Sequence, residues 1–106
     1  MVSAMHRFLA DSLDRPGEIN RVGLNTTRLL LGLGDLVVGW LLVRQSEVAT
    51  SALDGGAASP ADTAFYQGKV AAARFFAETV LPRLGTEREI VEATTTELTE
   101  LPEAAF

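Results

Sequence analysis

No cysteine occurs in the 106 residues, and histidine appears once, as His6. Without thiols the chain can form no disulfide, offers no thiolate zinc site and carries no cysteine nucleophile. His6 has no second histidine or carboxylate beside it at ligand spacing, so no histidine metal site and no Ser/His/Asp arrangement can be assembled. The missing thiols suit a reducing cytoplasm. Basic residues are also scarce where they would matter. Residues 1–84 balance eight acids with eight bases, while residues 85–106 set six acids against Arg88, so the whole net charge of -5 arises at that end. No basic face remains for nucleic acid, and the acidic end reads as a solvated helix and tail. The opening "VSAMHRFLADSLD" has no basic start leading into an apolar core, so no signal peptide is expected.

What is present is apolar and helical. Hydrophobic residues make up 47% of the chain, enough for one domain spanning residues 1–106 with a modest core. Met5, Phe8, Leu9 and Leu13 recur at helical spacing in a short helix over 3–13. Pro16 and Gly17 form a turn. From Glu18 to about Leu53 there is no proline and the spacing stays helical. Gly55 and Gly56 close that helix, and Ser59-Pro60 opens the next with an N-cap serine and proline at the first helical position. The next helix is expected from Pro60 to about Leu84, with Tyr66, Val70, Ala73, Ala77, Val80 and Leu84 as one stripe, a bend at Pro82 and a stop at Gly85. Thr86 and Glu89 have capping-box spacing, so a short acidic helix should follow. The expected fold is all-α. It is an antiparallel hairpin of two long helices (core 18–84) with short flanking helices and an acidic segment over 85–106.

The stretch "LLLGLGDLVVGWLLV" at 29–43 is apolar except for Asp35, and three readings compete for it. A membrane span needs about 20 apolar residues, whereas Arg28 and Arg44 enclose fifteen, and Asp35 would stand at mid-depth at an expense of a few kcal/mol; no membrane span is expected. A phosphate loop needs a third glycine where Val37 stands, and the preceding strand is missing. A helix covered on nearly all sides remains. Val22, Leu29, Leu33, Leu36, Trp40 and Val43 would form one face, and Leu30, Val37, Leu41 and Val48 another. One antiparallel neighbour cannot cover both faces, so oligomerisation or docking on a further domain should complete the bundle.

Gly32 and Gly39 are seven apart and share a face with Asp35. Mid-helix glycine costs about 1 kcal/mol relative to alanine, which a close helix approach can offset. Asp35 in that seam needs a cation, because an isolated buried carboxylate is expensive. Arg28, Lys69 and Arg74 are candidates, with Arg74 favoured for its mid-helix position. Glu78 is expected to pair with Arg74 at i,i+4. Trp40 and Tyr66 read as packing anchors rather than cofactor stackers, and Phe76 widens the stripe of the second helix as a further structural residue. No catalytic, cofactor-binding or metal-binding residue is assigned. An apolar ligand between the helices near Gly32 and Gly39 is a further possibility that the residues neither require nor forbid.

"LNTTRLLLGLGDLVVGWLLVRQSEVATSALDGG" followed by "AFYQGKVAAARFFAETVLPRL" resembles the accessory C-terminal region of a subgroup of bacterial acyl-CoA dehydrogenases. In that region a long helix with a "GW" step precedes a helix opening "FYxGKxAxARFFA"; Phe65, Tyr66, Gly68, Lys69, Ala73, Arg74, Phe75 and Phe76 match it. The likeness covers roughly residues 20–84. It implies a parent oxidoreductase of fatty acid metabolism that oxidises an acyl-CoA thioester at its α,β bond, using a glutamate base and FAD. Both belong to catalytic domains preceding this region, so no catalytic or flavin residue carries over to this chain, and whether the chain acts as an enzyme is left open. The implied partners are those catalytic domains or further copies of the chain. The alternative is a stand-alone helical homo-oligomer acting as a scaffold.

Overall fold

A computed structural model describes all 106 residues. It contains helices α1 (Val2–Asp11), α2 (Ile19–Asp54), α3 (Pro60–Thr79), α4 (Arg83–Ala93) and α5 (Glu97–Glu100), with short 3₁₀ turns at Pro16–Glu18 and Glu103–Ala105. No strand forms, and the fold is all-α as the periodicity predicts. The 36 residues of α2 give a rod of about 54 Å. Gly56, at φ +67, supplies the left-handed residue just beyond its end. The Ser59 hydroxyl accepts from the Asp62 N–H at 3.1 Å, capping α3 ahead of Pro60.

The expected helix from Pro60 to Leu84 is instead two helices. α3 ends at Thr79 and α4 begins at Arg83. Pro82 explains the break: it cannot donate to an interior helical bond, but it suits the start of the next helix. Gly85 and Thr86 therefore lie inside α4 rather than acting as a stop and a cap. The Thr86/Glu89 spacing has no capping role, because the helix starts three residues earlier.

The packing divides into two compact units, Met1–Gly32 with Gly85–Phe106, and Leu33–Leu84. In the first, α1 and α4 pack on the N-terminal part of α2. Ala4, Met5, Phe8 and Val91 form the buried cluster, with Met1, Val22 and Leu29 against it. Phe8 and Val91 are fully buried, and the Arg21 guanidinium lies 3.7 Å from the Phe8 ring centroid. Leu9 and Leu13, expected on the same stripe, are exposed. Asn25, 2% exposed, donates from Nδ2 to the Arg21 carbonyl at 2.9 Å and accepts from the Thr94 hydroxyl at 3.3 Å. Arg28 pairs with Glu87. Glu87 and Val91, four apart, share one face of α4, and Thr94 just beyond its end continues that line.

In the Leu33–Leu84 unit, α2 and α3 run antiparallel. Asp35 meets Arg83, Gly39 meets Phe76 and Leu81, and Leu41–Ala49 faces Phe65–Lys69 across a cleft. Numbers rise along one helix as they fall along the other.

Candidate functional site

The covered side of α2 is not its greasy side. The residues it shields, wholly or partly, include Asn25, Arg28, Gly32, Asp35, Gly39, Leu42, Ser46, Ala49 and Leu53. Within each unit their spacing alternates three and four, the pattern of a helix packed along one seam. Most seam positions carry small or polar residues, which leaves room for neighbouring side chains to reach the helix. At Gly39 an added Cβ would stand 3.2 Å from Leu81 Cδ2 and 3.5 Å from Phe76 Cε1. Gly32 is buried and Asp35 half-buried on this seam.

The large apolar residues of α2 point the other way. Leu30, Leu33, Leu36, Val37 and Leu41 are all exposed, and Trp40 is 62% exposed. Trp40 is therefore no core anchor within this chain. The face expected from Val22 to Val43 is covered only at Val22 and Leu29. Hydropathy pointed to the exposed surface because the seam itself is polar. On α3 the stripe is nearer to expectation: Tyr66, Val70, Ala73 and Val80 are at least half-buried, as is Phe76, while Ala77 is exposed.

Asp35 does not use any of the three bases expected for it. Its Oδ2 lies 3.5 Å from Arg83 Nη2. Arg28 is engaged by Glu87, Lys69 lies over the Phe65 ring at 5.1 Å, and Arg74 makes no ion pair, with Glu78 or otherwise. The antiparallel pairing puts Asp35 level with the α3–α4 junction, beyond Arg74. Sequence reasoning passed over Arg83 because it favoured a base in mid-helix, like Asp35 itself. It also passed over the Asn25–Thr94 contact, whose residues are 69 apart in the chain.

Toward the other end of this unit, a cleft of about 470 Å³ opens between α2 and α3. Leu41, Val48, Ala49 and Phe65 give it an apolar lining. Arg44, Gln45, Tyr66 and Lys69 supply its polar groups, and no carboxylate lines it. The Phe65 and Tyr66 rings meet edge to face at 5.7 Å.

Two cofactor and membrane questions turn on α2. Gly32 and Gly34 lie within it, where backbone N–H groups are committed to helical bonds, so they cannot cradle a flavin pyrophosphate. By length and composition alone, Pro16–Asp54 is long and apolar enough to cross a membrane. The helix continues through Arg28 and Arg44, so the short interval between them does not bound its length.

Two comparisons with known proteins bear on these features. The family described as acetyl-CoA dehydrogenase C-terminal like matches residues 1–102. The broad-specificity linear acyl-CoA dehydrogenase FadE5 of Mycobacterium tuberculosis is 43% identical over 106 residues, which is 100% of this chain and 17% of that protein. The matched part is the C-terminal part of that relative. The chain thus spans about a sixth of the relative's length. With a helical match over nearly its whole length, the chain belongs to the acetyl-CoA dehydrogenase C-terminal-like family.

Proposed function

We propose that this chain is a non-catalytic C-terminal helical module of an FAD-dependent acyl-CoA dehydrogenase, and that its task is packing. The observation that carries this reading is the inverted α2: a small, polar seam is covered while Leu30, Leu33, Val37 and Trp40 are left outside. Burying such side chains contributes about 1.5 to 3 kcal/mol each, so a surface of this kind favours a partner. The partner proposed is the set of catalytic domains that would carry the flavin and the base of such an enzyme. In isolation the same face would pair with a second copy of the chain. The reading implies a cytoplasmic enzyme of fatty acid metabolism.

A chimera tests it. This chain would replace the matching C-terminal segment of FadE5, and the product should assemble and oxidise acyl-CoA. Val37→Asp with Trp40→Asp should detach the segment, seen as rapid proteolysis at its junction. An unaffected digestion pattern in the doubly substituted chimera would refute docking through this face.

A further inference from the structure

The cleft between α2 and α3 has a lining and a charge that the packing role does not use. Its volume of about 470 Å³ lies within the range of small-molecule sites. Phe65 and Val48 expose apolar surface there. Arg44 stands on one helix and Lys69 on the other, with no carboxylate in the lining. Lys69 has no anionic partner; its ammonium lies 5.1 Å from the Phe65 centroid. The ion pair of Arg44 is with Glu47, at 3.1 Å, between side chains 66% and 58% exposed. Exposed pairs of that kind are weak and exchange readily. The Tyr66 hydroxyl and the Gln45 amide add uncharged donors.

We propose that this cleft is a binding site for a single-chain anionic amphiphile, with the aliphatic tail against Leu41, Val48, Ala49 and Phe65 and the head between Arg44 and Lys69. The tail removes apolar surface from water. The head accepts charge-assisted hydrogen bonds from two cations that no carboxylate of the lining opposes. A neutral hydrocarbon would leave both cations idle, so the charge pattern selects an anion. The head can be a carboxylate or a phosphate, since Arg and Lys serve both. This site goes beyond the packing role and stands whether or not the module docks on a catalytic body.

The test is a titration of the ¹⁵N-labelled 106-residue chain with decanoate, decyl phosphate and decan-1-ol, read from amide shifts. Saturable shifts on Val48, Ala49, Phe65 and Tyr66 are expected with one or both anions, and binding about tenfold weaker with the alcohol. Tighter binding of decanoate would identify a carboxylate head, and tighter binding of decyl phosphate a phosphate head. Arg44→Gln with Lys69→Gln should bring the anions down to the alcohol's affinity and leave the alcohol unchanged. Val48→Ser, at an exposed position that leaves both cations in place and adds no charge, should weaken the anions and the alcohol alike. Equal affinity for anion and alcohol, absence of saturation, or shifts centred on Leu30–Trp40 instead of the cleft would overturn the proposal.

Discussion

Asp35 Oδ2 lies 3.5 Å from Arg83 Nη2, joining the middle of α2 to the first residue of α4. The two ends of this pair differ in solvation, with side chains 32% exposed at Asp35 and 65% at Arg83. An aspartate in a seam invites the expectation of a buried, indispensable ion pair. A partner this exposed makes it a modest one.

The first prediction follows from that asymmetry. A double-mutant cycle on Asp35→Ala and Arg83→Ala should give a coupling of under about 1 kcal/mol, fading in high salt. Asp35→Leu should be tolerated with Arg83 intact, because a solvated guanidinium is not stranded by losing its partner. Urea unfolding at low protein concentration measures both. A coupling of several kcal/mol would mean that the pair is desolvated.

Gly39 should discriminate sharply by side-chain size. Gly39→Ala gains about 1 kcal/mol of helix propensity and meets Leu81 Cδ2 at 3.2 Å, the movable tip of a side chain, so its net effect should be within about 1 kcal/mol of zero. Gly39→Leu must displace both Leu81 and Phe76 and should cost about 1 to 3 kcal/mol. Thermal unfolding of the two variants would decide it, and equal melting would place the helices farther apart than described.

Phe8 is fully buried beneath Arg21, so Phe8→Ala should destabilise the chain by about 3 to 5 kcal/mol. Phe8→Leu should recover part of that through its volume, but not the cation–π contact, which is worth about 0.5 to 2 kcal/mol. Unfolding followed by circular dichroism gives both values. A small loss in Phe8→Ala would show that α1 contributes little to the unit containing α4.

Asn25 and Thr94 should behave as a unit. The Thr94 hydroxyl has one proton for two acceptors, the Ile90 carbonyl at 2.8 Å and the Asn25 Oδ1 at 3.3 Å, so Thr94→Val should cost about 0.5 to 1.5 kcal/mol. Adding Asn25→Leu removes the Asn25 acceptor as well, so the double variant should lose less than the sum of the single ones. Strict additivity in a double-mutant cycle would rule out their hydrogen bond.

Much of this architecture is legible in the residues. Ser59-Pro60, Gly55-Gly56 and the proline-free run after Pro16 mark the loop and the long helix, because caps and breakers act locally. The glycine spacing marks a seam at Gly32, Asp35 and Gly39, each at least partly covered, while the outer apolar row through Trp40, expected to need cover from beyond the hairpin, is exposed. Hydropathy reports what avoids water, whereas the seam is chosen for closeness, and closeness selects Gly39, Ser46 and Ala49 rather than leucine. Gly85 reads as a stop, yet Pro82, three residues earlier, sets the boundary. Arg83 escaped notice because the partner of Asp35 depends on the antiparallel offset, which no single helix encodes. Of the cleft, Tyr66 and Lys69 stand within the quoted family motif, but their position opposite Arg44 and Val48 becomes visible only once the helices pair.

The inside-out build of α2 also separates cohesion from adhesion. What keeps the helix against its neighbours within the chain is a row of small and hydrogen-bonding groups, and what makes it stick to anything else is a different row of leucines, valines and one tryptophan. Damage to the inner row should unravel the polypeptide, whereas polar replacements along the outer row should yield a folded but solitary molecule.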